Sequence, residues 1–335
     1  MFATRRHSFH GGAVLTGAAK SQITGAVCVM LTALGWGLNW PATKVLIESF
    51  PPISARGLTG LVASAILFSA TMARKDRLAI GWRDWPHLLL GALLNVAVWM
   101  GGTTASLRWL RAGQAATLAY TMPIWVCLLA WPILKEKPTP RQMGAIVLGM
   151  CGVIILLGPE SLSFSRHDGP GIVLALLAAF LFALGTVCGK AHPLPLRPLA
   201  LTAWQVGLGS IPLTILGFLL EKPDFTRLDV LGWATLAYTA LISMGLCYVT
   251  WFIAKGRLSA FGAATGTLLT PVVGVAASAI FLGDALTINQ LASLALVSSG
   301  IVLAVGVSRP VTTCSPNANA PQPPGQPVIS SRARR

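Results

Sequence analysis

The sequence predicts an all-α integral membrane protein of ten transmembrane helices, arranged as two five-helix repeats of inverted topology. Three observations predict it. First, 54% of the 335 residues are hydrophobic and only 10% are charged, with a mean hydropathy of +0.70. A soluble domain carries about 25% charge, so this chain cannot cover a water-facing surface. Second, apolar runs long enough for a ~30 Å hydrocarbon slab recur along most of the length. Third, the chain repeats itself. Gln114, Ala115, Ala116, Thr117, Pro123, Leu134, Glu136, Thr139, Gln142 and Gly152 recur, in order and at constant spacing, as Gly262, Ala263, Ala264, Thr265, Pro271, Leu282, Asp284, Thr287, Gln290 and Gly300. Each copy is two apolar spans joined by a short loop with one acid in it. Such repetition marks a duplicated structural unit.

The elements follow in chain order. Residues 1–21 are short on large apolar side chains. The run from Gly11 to Ala19 after Arg5 and Arg6 is too mild for a signal peptide, so this stretch is expected to be a disordered cytoplasmic tail. Ten spans follow, at roughly 23–46, 53–73, 86–107, 113–134, 141–158, 169–190, 198–220, 230–254, 260–282 and 287–307. The first repeat covers 22–158 and the second 169–307. Residues 308–335 are Pro-, Asn- and Ser-rich and expected to be a second disordered cytoplasmic tail.

Orientation comes from Lys and Arg. With the N-terminus inside, most of the 25 basic residues fall on the inner side. They include Arg74, Lys75, Arg77, Lys135, Lys137, Arg141, Lys255 and Arg257. The outer side keeps Lys44, Arg56, Arg108, Arg111, Arg166, Lys222 and Arg227. Both termini are therefore expected in the cytoplasm, with the chain in the cell (inner) membrane. The net charge of +15 is explained by this topology rather than by nucleic acid. Five spans per repeat is an odd number, so the second repeat enters the bilayer upside down. Inverted repeats build transport paths around a site near the midplane.

The six cysteines show no zinc-ligand or redox spacing. The five histidines are scattered, and no HExxH or GxSxG occurs. No enzyme, metal or cofactor is expected. The expected partners are a small-molecule substrate and the lipid bilayer.

These residues resemble the EamA family of the drug/metabolite transporter superfamily. Gly35-Trp36-Gly37 with Lys44 beyond it carries the likeness in the first half. So do Arg111 to Ala116 leading to Pro123, then Leu134-Lys135-Glu136 and Gln142 to Gly152. Leu258 to Ala264, Pro271, Leu282-Gly283-Asp284, Gln290 and Gly300 carry it in the second. The likeness spans roughly residues 23–307. It implies a ten-helix permease for amino acids, other small metabolites or drugs, often directed outward. Asp284 departs from the family pattern, which more often shows Glu.

Polar stripes inside apolar spans point to neighbouring helices or a cavity. Span 3 carries Asn95, Trp99 and Thr103, which the repeat places opposite Ser243, Cys247 and Trp251 of span 8, with Tyr248 beside them. Span 1 offers Trp36, Asn39, Trp40 and Thr43 around Pro41; span 4 offers Tyr120 and Thr121 before Pro123; span 9 offers Thr267 and Thr270 before Pro271. The substrate-binding candidates are thus Trp36, Asn39, Asn95, Trp99, Thr103, Tyr120, Thr121, Tyr248, Trp251, Thr267 and Thr270. Pro123 and Pro271 remove backbone donors and read as kinks. Glu136 and Asp284 read as caps of the helix that follows each, or as gating ion pairs. Lys44 and Lys190 close corresponding spans, as snorkelling or gating residues. No acid lies in the middle of a span, which removes the usual carboxylate relay of proton-coupled carriers. A carrier of small amphipathic metabolites, acting as an exporter, leads the expectations. A phosphorylated-sugar or nucleotide-sugar exchanger is the alternative; it needs cations in the cavity, whereas Lys255 and Arg257 lie at the cytoplasmic end of span 8 and not at mid-depth. A non-transporting receptor is another.

Overall fold

A computed structural model describes residues 11–46, 49–110, 115, 118–157, 165–282 and 288–305. Every described element is helical. Helix starts are set by proline, which fixes φ near −65° and lacks the N–H that a first turn leaves unpaired. Helix α1 spans Gly11–Leu46. A proline then occupies one of the first two positions of α2 (Pro52–Ala73), α3 (Trp85–Ser106), α4 (Met122–Leu134), α5 (Pro140–Leu157), α6 (Gly169–Ala191) and α7 (Pro198–Glu221). Then come α8 (Val230–Arg257), α9 (Ala260–Gly266 and Leu269–Leu282) and α10 (Ile288–Val305). Lysines in the left-handed region end three helices: Lys75 (φ 53°), Lys135 (φ 60°) and Lys222 (φ 49°). Their charge lies beside the negative helix C-terminus, which offsets part of the backbone strain.

Six helical stretches among the described residues are long and apolar enough to cross a membrane. They are Ala19–Thr43, Pro52–Ala73, Trp85–Ser106, Arg166–Ala191, Pro198–Glu221 and Val230–Arg257. Met122–Leu134, Pro140–Ile155, Ala260–Gly274 and Leu291–Gly300 are shorter apolar helices. Helix α1 begins at Gly11, within the stretch expected to be a tail. The C-terminal tail lies outside the described residues. Spans 4 and 9, where Pro123 and Pro271 read as kinks, are interrupted ahead of those prolines. Without an N–H, Pro123 and Pro271 cannot extend the preceding turn, and each lies in the first turn of a fresh helical segment instead.

Corresponding helices of the two halves pack against each other antiparallel. In the α2/α7 crossing, Gly57 lies at Thr214, Gly60 at Ser210, Ser64 at Gly207, and Ser54 at Gly217. Ascending numbers on one helix meet descending numbers on the other. The ends are tied: Glu221 accepts from Ser54 N–H (2.8 Å) and Ile53 N–H (3.2 Å), while Arg197 pairs with Asp76 at the opposite end. Helices α5 and α10 repeat the arrangement, with Gly144 at Leu303 and Gly152 at Val297. Helix α1 packs on α8 and α9, and α6 packs in the same way on α3 and α4. That exchange is what a two-fold relation between halves requires. The central core gathers Val126, Phe182, Ala183, Trp251, Ala254 and Ala263, from both halves.

Two internal distortions also correspond. Helix α3 contains a π-helical turn at Leu93–Val98, and α8 contains one at Thr239–Leu246. Asn95 and Ser243, matched by the repeat, lie inside them. Such turns occur disproportionately at functional sites.

Candidate functional site

A cavity of about 380 Å³ lies between the two halves. Its inner wall is aromatic. Trp36 stands edge-on to Tyr248, with ring centres 5.5 Å apart, and Trp99 tilts against Phe182 at 4.6 Å. From there the cavity runs past Thr43 and Arg56 to the exposed Leu107 and Arg108. The ends of α1, α2, α3 and α7 frame that side.

Seven of the sequence candidates line this cavity: Trp36, Asn39, Trp99, Thr103, Tyr120, Thr267 and Thr270. The Trp36 Nε1–H donates to the Ser243 carbonyl (3.0 Å). Asn39 donates to Thr43 Oγ1 (3.0 Å) and accepts from Thr239 (3.3 Å). Thr103 and Thr267 donate to carbonyls of their own helices, Trp99 O (2.6 Å) and Ala264 O (2.7 Å). The buried Thr270 hydroxyl has no partner among the described residues.

Asn95, Thr121, Tyr248 and Trp251 do not line it. Asn95 is fully buried between helices. Its Oδ1 accepts from Thr186 (3.4 Å), and its backbone carbonyl accepts from Tyr248 OH (3.1 Å). The π turn explains the second bond: it breaks the regular ladder and leaves a carbonyl to satisfy. Ser243 O, in the other π turn, is met in the same way by Trp36. Thr121 accepts from Trp125 Nε1–H (3.2 Å), and Trp251 is sealed behind Trp36 and Phe182. The Asn95 side chain faces protein, not lipid.

The opposite end is closed. Lys190 Nζ meets Glu136 Oε1 at 3.1 Å and donates to Leu258 O at 2.7 Å. Glu136 Oε2 accepts from Ala260 N–H at 3.3 Å, so it holds the first turn of α9 and not of the helix that follows it. The following helix, α5, caps itself: Thr139 N–H donates to Gln142, and Gln142 N–H to Thr139 Oγ1. Lys190 is therefore partnered, not snorkelling. Asp284 and the Lys44 side chain lie outside the described residues.

Sequence reasoning missed Arg56 and Phe182 in the cavity wall. The Lys and Arg distribution counts Arg56 only as an outer-side charge, yet it lies inside the apolar span 53–73, which was the available signal. It makes no ion pair among the described residues. Phe182 corresponds to Trp36 when the segment Ala33–Lys44 is aligned with Ala179–Lys190, so the weaker repeat could have found it.

The fold and cavity define a class: a helical membrane protein with two internal repeats enclosing a solute-sized space. The chain belongs to the EamA-like transporter family, which matches it twice, over residues 23–158 and 169–306. It is 28% identical over 279 residues to YvbV, an uncharacterized transporter of Bacillus subtilis, covering 83% of this chain and 90% of the relative. A probable amino-acid metabolite efflux pump of Salmonella typhimurium is 28% identical over 82% of this chain and 93% of its own length. The Escherichia coli protein of the same description is 26% identical over 83% and 94%. One crystal structure superposes with a TM-score of 0.73 at 18% identity, covering 87% of this chain and 99% of that one, which supports the fold.

Proposed function

We propose that the chain is a ten-helix secondary transporter of the cell (inner) membrane, with both termini cytoplasmic, that exports small metabolites such as amino acids by alternating access. The observation that carries this reading is the cavity of about 380 Å³ between inverted halves, reaching the surface at one end and tied shut at the other by Glu136 and Lys190. Ligand pockets of about 300–1,000 Å³ suit small organic solutes. By the distribution of Lys and Arg, the cavity opens outward and the tie is cytoplasmic. Trp36 and Trp99 supply stacking surfaces, Asn39 and Thr270 orient polar groups, and Arg56 supplies a cation. Rocking of one half against the other would break the tie and close the outer end. The efflux-pump names of the relatives support the substrate class and the direction.

The test is counterflow of radiolabelled amino acids into proteoliposomes containing the purified chain. Accelerated uptake into vesicles preloaded with the same solute is expected. No flux across a broad metabolite panel overturns the proposal, and saturable binding without flux would make the chain a receptor. Exchange confined to sugar phosphates would replace the substrate class.

A further inference from the structure

A second cavity, of about 410 Å³, lies between α3, α6, α7 and α8, on the side of the molecule that the Glu136–Lys190 pair closes. Its wall combines Leu90, Leu194, Leu201 and Phe252 with a few polar groups. Two of those polar groups are more than nine-tenths buried and open toward the cavity. Lys255 is 6% exposed and forms no ion pair among the described residues; its ammonium instead lies 4.8 Å from the centre of the Phe252 ring. Gln205 is 4% exposed, and its Oε1 has no hydrogen-bond partner among the described residues.

The charges here do not balance. Lys190, also in this wall, is engaged by Glu136 and the Leu258 carbonyl. Among the described residues no carboxylate lines the cavity, whose wall also holds the stacked His87 and His192 rings, so no acid compensates the positive charge of Lys255. Burial of an ammonium without a counter-ion is strongly unfavourable. A ligand with a single negative charge on an apolar body would relieve it. The unpartnered Gln205 oxygen can accept from an N–H or O–H that the ligand carries.

We infer that this cavity is a binding site for an organic monocarboxylate with an apolar or aromatic body, its carboxylate paired to Lys255. The inference rests on the transport reading and deepens it. On that reading the cavity is the cytoplasmic loading site, and it restricts the substrate to small carboxylic acids. The anion could come from a free solute or from an acidic lipid headgroup. A compact cavity of this volume fits the free solute.

The probe is phenylacetate against its neutral isostere phenylacetamide, titrated calorimetrically into the full chain in phosphatidylcholine nanodiscs. The acid is expected to bind at least tenfold more tightly than the amide. Lys255→Met should erase that preference and Lys255→Arg should keep it. Should Lys255→Met fail to fold, Leu201→Trp fills the cavity without touching the charge and should abolish phenylacetate binding. Equal affinity for acid and amide, a preference that survives Lys255→Met, or full binding in Leu201→Trp overturns the inference. So does displacement of phenylacetate by added phosphatidylglycerol, which would assign the cavity to lipid. Lys255-dependent binding with no flux would count against transport alone, whereas flux with no acid preference would count against this site alone.

Discussion

Replacing Glu136 with Gln tests whether the Glu136–Lys190 contact latches the closed end. The carboxylate lies 3.1 Å from Lys190 Nζ and accepts from Ala260 N–H, and the two side chains are 29% and 17% exposed. An exposed ion pair is worth roughly 0.2–1 kcal/mol, and a hydrogen bond to a charged group about 1.5–3. Partial exposure places this contact at about 1–2 kcal/mol, after allowance for screening. Gln keeps an oxygen for the Ala260 amide and removes only the charge. The loss corresponds to about a 5- to 30-fold shift toward the state open at that end. A minor state at about 1% would rise to roughly 5–25%. Spin labels at Lys137→Cys and Gly256→Cys would report it by electron–electron distance measurement, with Cys151, Cys188 and Cys314 replaced by Ala. Lys137 is exposed, and an added Cβ at Gly256 meets nothing. The variant should gain a longer-distance component. An unchanged distribution refutes the latch, and so does simple additivity with Lys190→Met, because groups in contact must couple.

Three further outcomes are expected. Gly57→Leu should abolish monodisperse, folded protein in detergent, because a Cβ there lies 2.4 Å from Thr214 N and 2.6 Å from its Cα, backbone that cannot give way; size-exclusion chromatography reads this directly. Trp36→Phe keeps an aromatic ring but loses the indole N–H and its bond to Ser243 O, about 0.5–1.5 kcal/mol, and should lower the melting temperature by about 2–4 °C. Arg56→Met should weaken amino-acid binding by roughly 10- to 100-fold through loss of a charged hydrogen bond, with Arg56→Lys intermediate in a competition assay.

The helical fold was legible because duplication and apolar length are one-dimensional signals. The repeat alone requires an odd-numbered unit to invert, and the antiparallel α2/α7 and α5/α10 pairs express that inversion. The face of α1 bearing Trp36, Asn39 and Thr43 was legible too, since helical spacing decides which residues share a face. Periodicity does not say which neighbour covers that face. Asn95 lies on the same stripe as Trp99 and Thr103, yet the π turn in α3 rotates the register between them. Residues on one regular stripe thereby separate into buried Asn95 and cavity-lining Trp99. Glu136 and Lys190 were each visible as charges at span ends, but their meeting depends on how α4, α6 and α9 converge. Lys255 read as one more cytoplasmic cation, because nothing local distinguishes a buried lysine from an exposed one.

The two halves are alike in backbone but not in chemistry, and this bears on the energetics of exchange between states. Trp36, in the first half, donates across to the π turn of the second at Ser243; Tyr248, in the second half, donates across to the π turn of the first at Asn95. The repeat places Phe182 opposite Trp36 and Met100 opposite Tyr248, and neither can donate a hydrogen bond. If the halves exchange roles during transport, as inverted repeats do, the mirrored arrangement lacks both bonds. The state described here is then favoured by about 1–3 kcal/mol from two neutral hydrogen bonds. It follows that Trp36→Phe, beyond its effect on melting, should move the Lys137–Gly256 spin-label distance in the same direction as Glu136→Gln, although Trp36 touches neither Glu136 nor Lys190. A distance distribution that ignores Trp36→Phe would show that the aromatic cross-links stabilise both states equally, and that the asymmetry between halves has no part in setting which end is open.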